Sequence, residues 1–105
     1  MKSSITSKTT DQEIIIKVAG RFDFNLHSQF KSVCDVTDAE LTNKQFIIDL
    51  GKTEYLDSSA LGMLLVLREV VTAKSELKIK ITNSTPQIKT VLEVANFHTD
   101  LFDVL

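Results

Sequence analysis

Asp57, Ser58 and Ser59 stand in a row where a strand-like run gives way to a helix-like one, and two chemistries are open to them. An Asp-Ser-Ser run ahead of an apolar helix is first of all a cap. Asp57 or Ser58 can accept hydrogen bonds from backbone amides left free in the first turn. The same helix end carries free donors and partial positive charge, so it also tolerates a phosphate group. A phosphoester on Ser58 would add about −1.5 to −2 charges and change the local surface while leaving the scaffold intact.

Other reactive residues are placed less productively. Cys34, His27 and His98 are the raw material for a nucleophile and base, but Cys34 falls on the apolar stripe of a helix, where a small buried thiol is the ordinary reading. No metal-ligand spacing links the histidines, and no cofactor is expected. Gly51-Lys52-Thr53 has the look of a phosphate-loop tail, yet that loop's first glycine would fall at Phe46, inside a strand, and no helix opens at Thr53. Asp49 near a strand end invites comparison with a phospho-accepting receiver aspartate. That chemistry needs acids clustered after the first strand to hold magnesium, and Gly20-Arg21-Phe22 offers none before Asp23. Asp49 therefore reads as a solvated or turn-capping residue. Asn83-Ser84-Thr85 has sequon form but reads as the start of a helix.

The elements that must position these groups follow from periodicity. Ile14 to Ala19 is a β-branched run ending at Gly20, read as a largely buried strand, with Ser3 to Thr9 as an edge strand beside it. From Asn25 to about Val36, Leu26, Phe30, Val33 and Cys34 recur at helical spacing, with Asn25 or Asp23 as cap. Gln45 to Leu50 is a second buried strand, stopped by Gly51, and a helix runs from about Ser58 to Lys74. Ala60, Met63, Leu64, Leu67, Val70 and Val71 form its main stripe. Leu61, Leu65 and Val66 lie off that stripe, and burial of the whole helix by its neighbours is the ordinary solution. Left exposed, they would make a protein-binding patch beside Ser58. Leu77 to Thr82 alternates like a strand with one wet face. Ser84-Thr85-Pro86 opens a helix with stripe Ile88, Val91, Leu92 and Ala95. Asn96 ends it, Phe97 tucks back, and Leu101 to Leu105 is a short strand or helix. Strands alternating with helices favour a mixed α/β sheet.

The 105 residues leave room for one domain. A net charge of −2 with signs interspersed gives no electrostatic case for nucleic acid or anionic lipid. One cysteine permits no internal disulfide, the start Met1 to Thr6 lacks a signal-peptide run, and Met63 to Leu67 is too short to span a bilayer. A soluble intracellular protein is expected.

With the strand Phe46 to Leu50 ahead of it, Asp57-Ser58-Ser59-Ala60-Leu61-Gly62 resembles the signature of anti-sigma-factor antagonists, the STAS domains of bacterial partner-switching systems. Their usual form is Asp-Ser-Ser/Thr-Gly-Leu/Ile-Gly at the start of the second helix. Gly20-Arg21-Phe22-Asp23 is similar to that family's Gly-x-aliphatic-Asp turn. The element order agrees too, so the resemblance covers nearly the whole chain.

The resemblance implies an α/β STAS fold, a mixed β-sheet of about four to five strands with about three to four crossover helices packed on it, as one domain over 1–105. It implies a non-enzymatic cytoplasmic protein, with no nucleic-acid or membrane partner, that binds an anti-sigma factor or switch-protein serine kinase. Phosphorylation of Ser58 would release that partner, and a PP2C-type phosphatase would reset the switch. Asp23 and Asp57 would hold the seryl hydroxyl, and the partner surface would comprise Asp23, Asp57, Ser58, Ser59, Ala60, Leu61, Gly62 and Met63. Ala60 replaces the commoner glycine, and this variant looks like antagonists paired with response-regulator phosphatases in Gram-negative bacteria. The alternative is a constitutive STAS scaffold subunit, such as those of membrane ABC transporters.

Overall fold

The computed structural model describes residues 3–40, 44–97 and 102–105. Five strands form one sheet in sequential order: β1 (Ser4–Thr9), β2 (Glu13–Phe22), β3 (Gln45–Leu56), β4 (Ile79–Thr82) and β5 (Phe102–Val104). β1 and β2 pair antiparallel, and every later pair is parallel. Each parallel step needs a crossover, supplied by α1 (His27–Glu40), α2 (Ser58–Thr72) and α3 (Pro86–Val94). A 3-10 turn, Phe24–Leu26, leads into α1.

Because the strand order advances one place at a time, right-handed crossovers put all three helices on the same face. Burial agrees with this. Ile16, Ile48 and Ile81 are ladder partners in one row and each is wholly buried. The next row, Ile15, Ile47 and Lys80, is only half-buried. The apolar runs in β2 and β3 read as largely buried strands, but among the described residues only alternate positions are buried, on the helix-covered face. Ile15 and Ile47 shield each other as ladder partners on the open face.

Two strands run on past the glycines expected to stop them, β2 through Gly20 to Phe22 and β3 through Gly51 to Leu56. The cause is a pair of bulges in β3. Between the pairs Lys17–Asp49 and Ala19–Lys52, and again between Gly20–Thr53 and Arg21–Tyr55, β3 carries one extra residue. Its buried positions accordingly change from every second residue (Phe46, Ile48, Leu50) to every third (Leu50, Thr53, Leu56). A period-2 pattern therefore fails at Gly51 although the strand continues. Buried Thr53 donates its hydroxyl to the Val18 carbonyl at 2.7 Å within this irregular stretch. Asp49 accepts from the Gly51 amide at 2.9 Å at the first bulge, inside the continuing strand, so it caps no turn. Gly20 adopts φ +80°, and an added Cβ there would lie 3.0 Å from Ser3.

The helices end as their residues dictate. Thr85 caps α3, accepting from the Ile88 amide, with Pro86 in the first turn. Asn96 takes φ 62°, and the Phe97 amide returns to the Leu92 carbonyl at 2.9 Å, a left-handed helix stop. Phe97 then stacks on Phe102 of β5, which is a strand; Leu101 lies outside the described residues. In α2, Ala60, Met63, Leu64, Leu67 and Val71 are buried against the sheet. Leu65 and Val66 remain 39% and 60% exposed, so the helix is not covered on all sides as its composition suggested.

Candidate functional site

The site lies where β2 and β3 leave the sheet. Phe22 and Leu56 form the last pair of their parallel ladder and both are buried, which fixes the exit points. The next residue on each strand is an aspartate that turns the chain into a helical element. Asp23 is extended (φ −137°), and its Oδ1 accepts from the Asn25 amide at 3.0 Å. Asp57 is extended (φ −117°), and its Oδ1 accepts from the Ala60 amide at 3.1 Å, while its carbonyl accepts from the Leu61 amide. Asp57 is thus the cap of α2, and a carboxylate at that end also complements the helix dipole.

Ser58 is the first residue of α2 and is exposed; the capping role belongs to its neighbour. Ser59 is half-buried and borders a groove of about 660 Å³ between α1 and α2. One wall of the groove is Phe24, Phe30 and Cys34, the other Gly62, Met63 and Val66. Phe24 is 68% exposed and stacks on His27, with ring centroids 5.1 Å apart. Gly62 is exposed, and a Cβ there would meet nothing within 4 Å.

The other residues expected on the surface differ in what they present. Leu61 is half-buried and packs against the core. Met63 keeps 6% exposure along the groove. Ala60 has none: the helix stripe turns its methyl into the core, so it has no surface to offer a partner and acts through packing.

Reading by spacing missed two features. Phe24, directly after Asp23, is a large exposed aromatic on the groove wall, and its only signal in the sequence is a hydrophobic residue outside any stripe. Arg21 lies over the Tyr55 ring, 4.1 Å from its centroid, and its Nε is 3.4 Å from Asp23 Oδ2. The two residues are ladder partners, which only the bulged register shows.

Cys34 is buried, and desolvation, with a smaller contribution from the Asp35 charge, pushes its thiol up from 9.0 to about 11. His98 lies outside the described residues, so its pairing with Cys34 has no geometry here. Among the described residues, no three His, Cys, Asp or Glu side chains gather to hold a metal ion, and no helix is long and apolar enough to cross a membrane.

The chain is similar to known proteins over almost its whole length. A STAS-domain-containing protein of Pseudomonas aeruginosa (strain UCBPP-PA14) is 37% identical over 86 residues, covering 82% of each chain. An anti-sigma factor antagonist from Mycobacterium paratuberculosis superposes with a TM-score of 0.80 at 16% identity, covering 98% of this chain and 85% of that one. The Bacillus cell fate determinant SpoIIAA, in its phosphorylated form, gives 0.68 at 14% identity over 97% and 91%. At such identities the two structures speak to the fold. The STAS-domain family model matches residues 4–104, and with the Pseudomonas relative it places this chain in the STAS-domain family.

Proposed function

We propose that the chain acts as a single STAS domain and a phosphorylation-switched anti-sigma factor antagonist. Unphosphorylated, it binds an anti-sigma factor or switch-protein serine kinase through the Asp57–Met63 end of α2, Asp23 and the adjoining groove. The kinase transfers the γ-phosphoryl group of ATP to Ser58 Oγ, leaving ADP and a proton, and the partner is released. A PP2C-type phosphatase, in this variant joined to a response-regulator receiver, hydrolyses the ester with water and restores the hydroxyl. The cycle belongs to the bacterial cytoplasm and asks no catalysis of the chain itself.

One observation carries this reading: Ser58 is exposed at the first position of α2 while Asp57 does the capping, and the next residue, Ser59, borders an apolar groove. Ser58 is therefore free to be modified without loss of the cap. Phe24 and Val66 on the walls of that groove are large, apolar and exposed, as a docking surface requires. A phosphate of about −1.5 to −2 charges at the edge of that surface would have to be desolvated on docking. Set against acidic groups of a kinase site, it would cost several kcal/mol, enough to reverse binding.

Affinity capture from the native host's lysate tests the reading, with unmodified, Ser58→Ala, Ser58→Asp and phosphorylated baits. A kinase-type or anti-sigma partner should be kept by alanine and lost from aspartate and from the phosphorylated protein. Equal retention by all four baits would instead identify a constitutive scaffold subunit, as in STAS-bearing ABC transporters.

A further inference from the structure

Arg21 is held in place by three different groups. Its amide donates to Ser3 Oγ at 2.9 Å, its Nε faces Asp23 Oδ2 at 3.4 Å, and its guanidinium lies over the Tyr55 ring. Tyr55 is its ladder partner, one step before the Phe22–Leu56 pair from which Asp23 and Asp57–Ser58 depart. Arg21 and Asp23 thus stand at the sheet end from which Asp57 and Ser58 also depart. The ion pair there is weak by its nature: it is a single contact at the long end of the range, and the Arg21 side chain is 60% exposed. A phosphate dianion offers a guanidinium more charge and a two-pronged acceptor, which arginine binds in preference to one carboxylate oxygen. Stacking on Tyr55 keeps the group near its post while it changes partner.

We infer that Arg21 is the residue that senses the modification, turning from Asp23 to the phosphate on Ser58 and leaving the Asp23 carboxylate uncompensated. The inference rests on the proposal that Ser58 is the modified residue. It adds that the switch acts at two points of the docking surface. Phosphate appears at α2, and a second free negative charge appears at Asp23, beside exposed Phe24.

The test uses the full chain with phosphoserine incorporated at position 58 during translation, followed by phosphorus NMR over a pH titration. The second phosphate ionisation should rise by about half a unit or more in Arg21→Ala, as loss of a nearby cation requires. Arg21→Lys should fall between the two, and the Arg21 Nε–H resonance of the parent should move when the phosphate is present. Arg21→Gln, which keeps part of the stem over Tyr55, serves as a second variant should alanine loosen the strand end. Midpoints unchanged to about 0.1 unit in folded variants would overturn the assignment. Because the phosphate is installed without a kinase, this outcome is separate from whether a cellular kinase uses Ser58. A shifted midpoint with no kinase acting on Ser58 would sink the functional reading and leave the sensing geometry standing.

Discussion

Asp23 and Asp57 each follow the same ladder pair, Phe22 with Leu56, so two capping carboxylates leave the sheet side by side although they lie far apart in sequence. Parallel strands lie about 4.8 Å apart, and the crossover through α1 leaves both exits at one sheet end. That end is where loops of parallel α/β sheets carry function. The arrangement brings two acidic groups to the start of α2, where Ser58 follows Asp57 and Ser59 borders the apolar groove.

Replacing Asp57 separates its structural from its switching role. Asp57→Ala should lower stability by about 1 kcal/mol through loss of the cap, read as a lower denaturant midpoint. Asp57→Asn should restore the cap and hence the midpoint. If the carboxylate also holds the Ser58 hydroxyl for transfer, Asp57→Asn will still be phosphorylated more slowly by the cognate kinase. Equal rates for Asn and Asp would assign Asp57 to capping alone.

Gly62 offers the opposite trade. It sits inside α2 with open space around it, so Gly62→Ala should stabilise the fold by roughly 0.5–1 kcal/mol on helix propensity. The new methyl projects toward the groove and should weaken partner binding. A thermal melt together with calorimetric titration of the captured partner checks both halves. Higher stability with unchanged affinity would move the docking surface elsewhere.

Val66→Asp places a charge on the groove wall at a side chain 60% exposed, where folding has little to lose. Stability should stay within about 0.5 kcal/mol, whereas partner affinity should fall at least tenfold, or about 1.4 kcal/mol. Phe24→Ala, on the facing wall, should act in the same direction.

Cys34 should be inert. Raising its thiol from 9.0 to about 11 by burial lowers the thiolate fraction near neutrality roughly 100-fold. Reaction with a thiol-specific disulfide reagent at pH 7.5 should be slower by a similar factor than in the unfolded chain. The sign for stability follows from the same shift. Both states hold the proton below pH 9.0, and the unfolded chain releases it first, so this contribution is full below 9.0 and declines as pH rises toward about 11. A denaturation midpoint that rose over that interval for the parent, relative to Cys34→Ser, would contradict the assignment.

The sequence determined a good deal without help. Element types and order as far as α3, the α3 start at Thr85-Pro86 and its stop at Asn96, and most of the buried face of α2 came from local rules: a stripe, a cap, a left-handed residue. Those rules do not decide between strand and helix for the last element. The Asp57-Ser58-Ser59 junction was legible for the same reason, since strand, cap and helix meet within a few residues. What only the tertiary structure decided is relational. The strand continuations past Gly20 and Gly51 depend on bulges, which exist only as a mismatch between two chains of the ladder. Exposure of Leu65 and Val66 depends on how α2 packs between the sheet and its neighbouring helix, which its own periodicity does not report. The pairing of Arg21 with Tyr55, and the exit of Asp23 and Asp57 from the same ladder pair, follow from parallel register across a crossover. Periodicity reports which way a side chain points along its own element; which residue stands opposite is settled only when the strands pair.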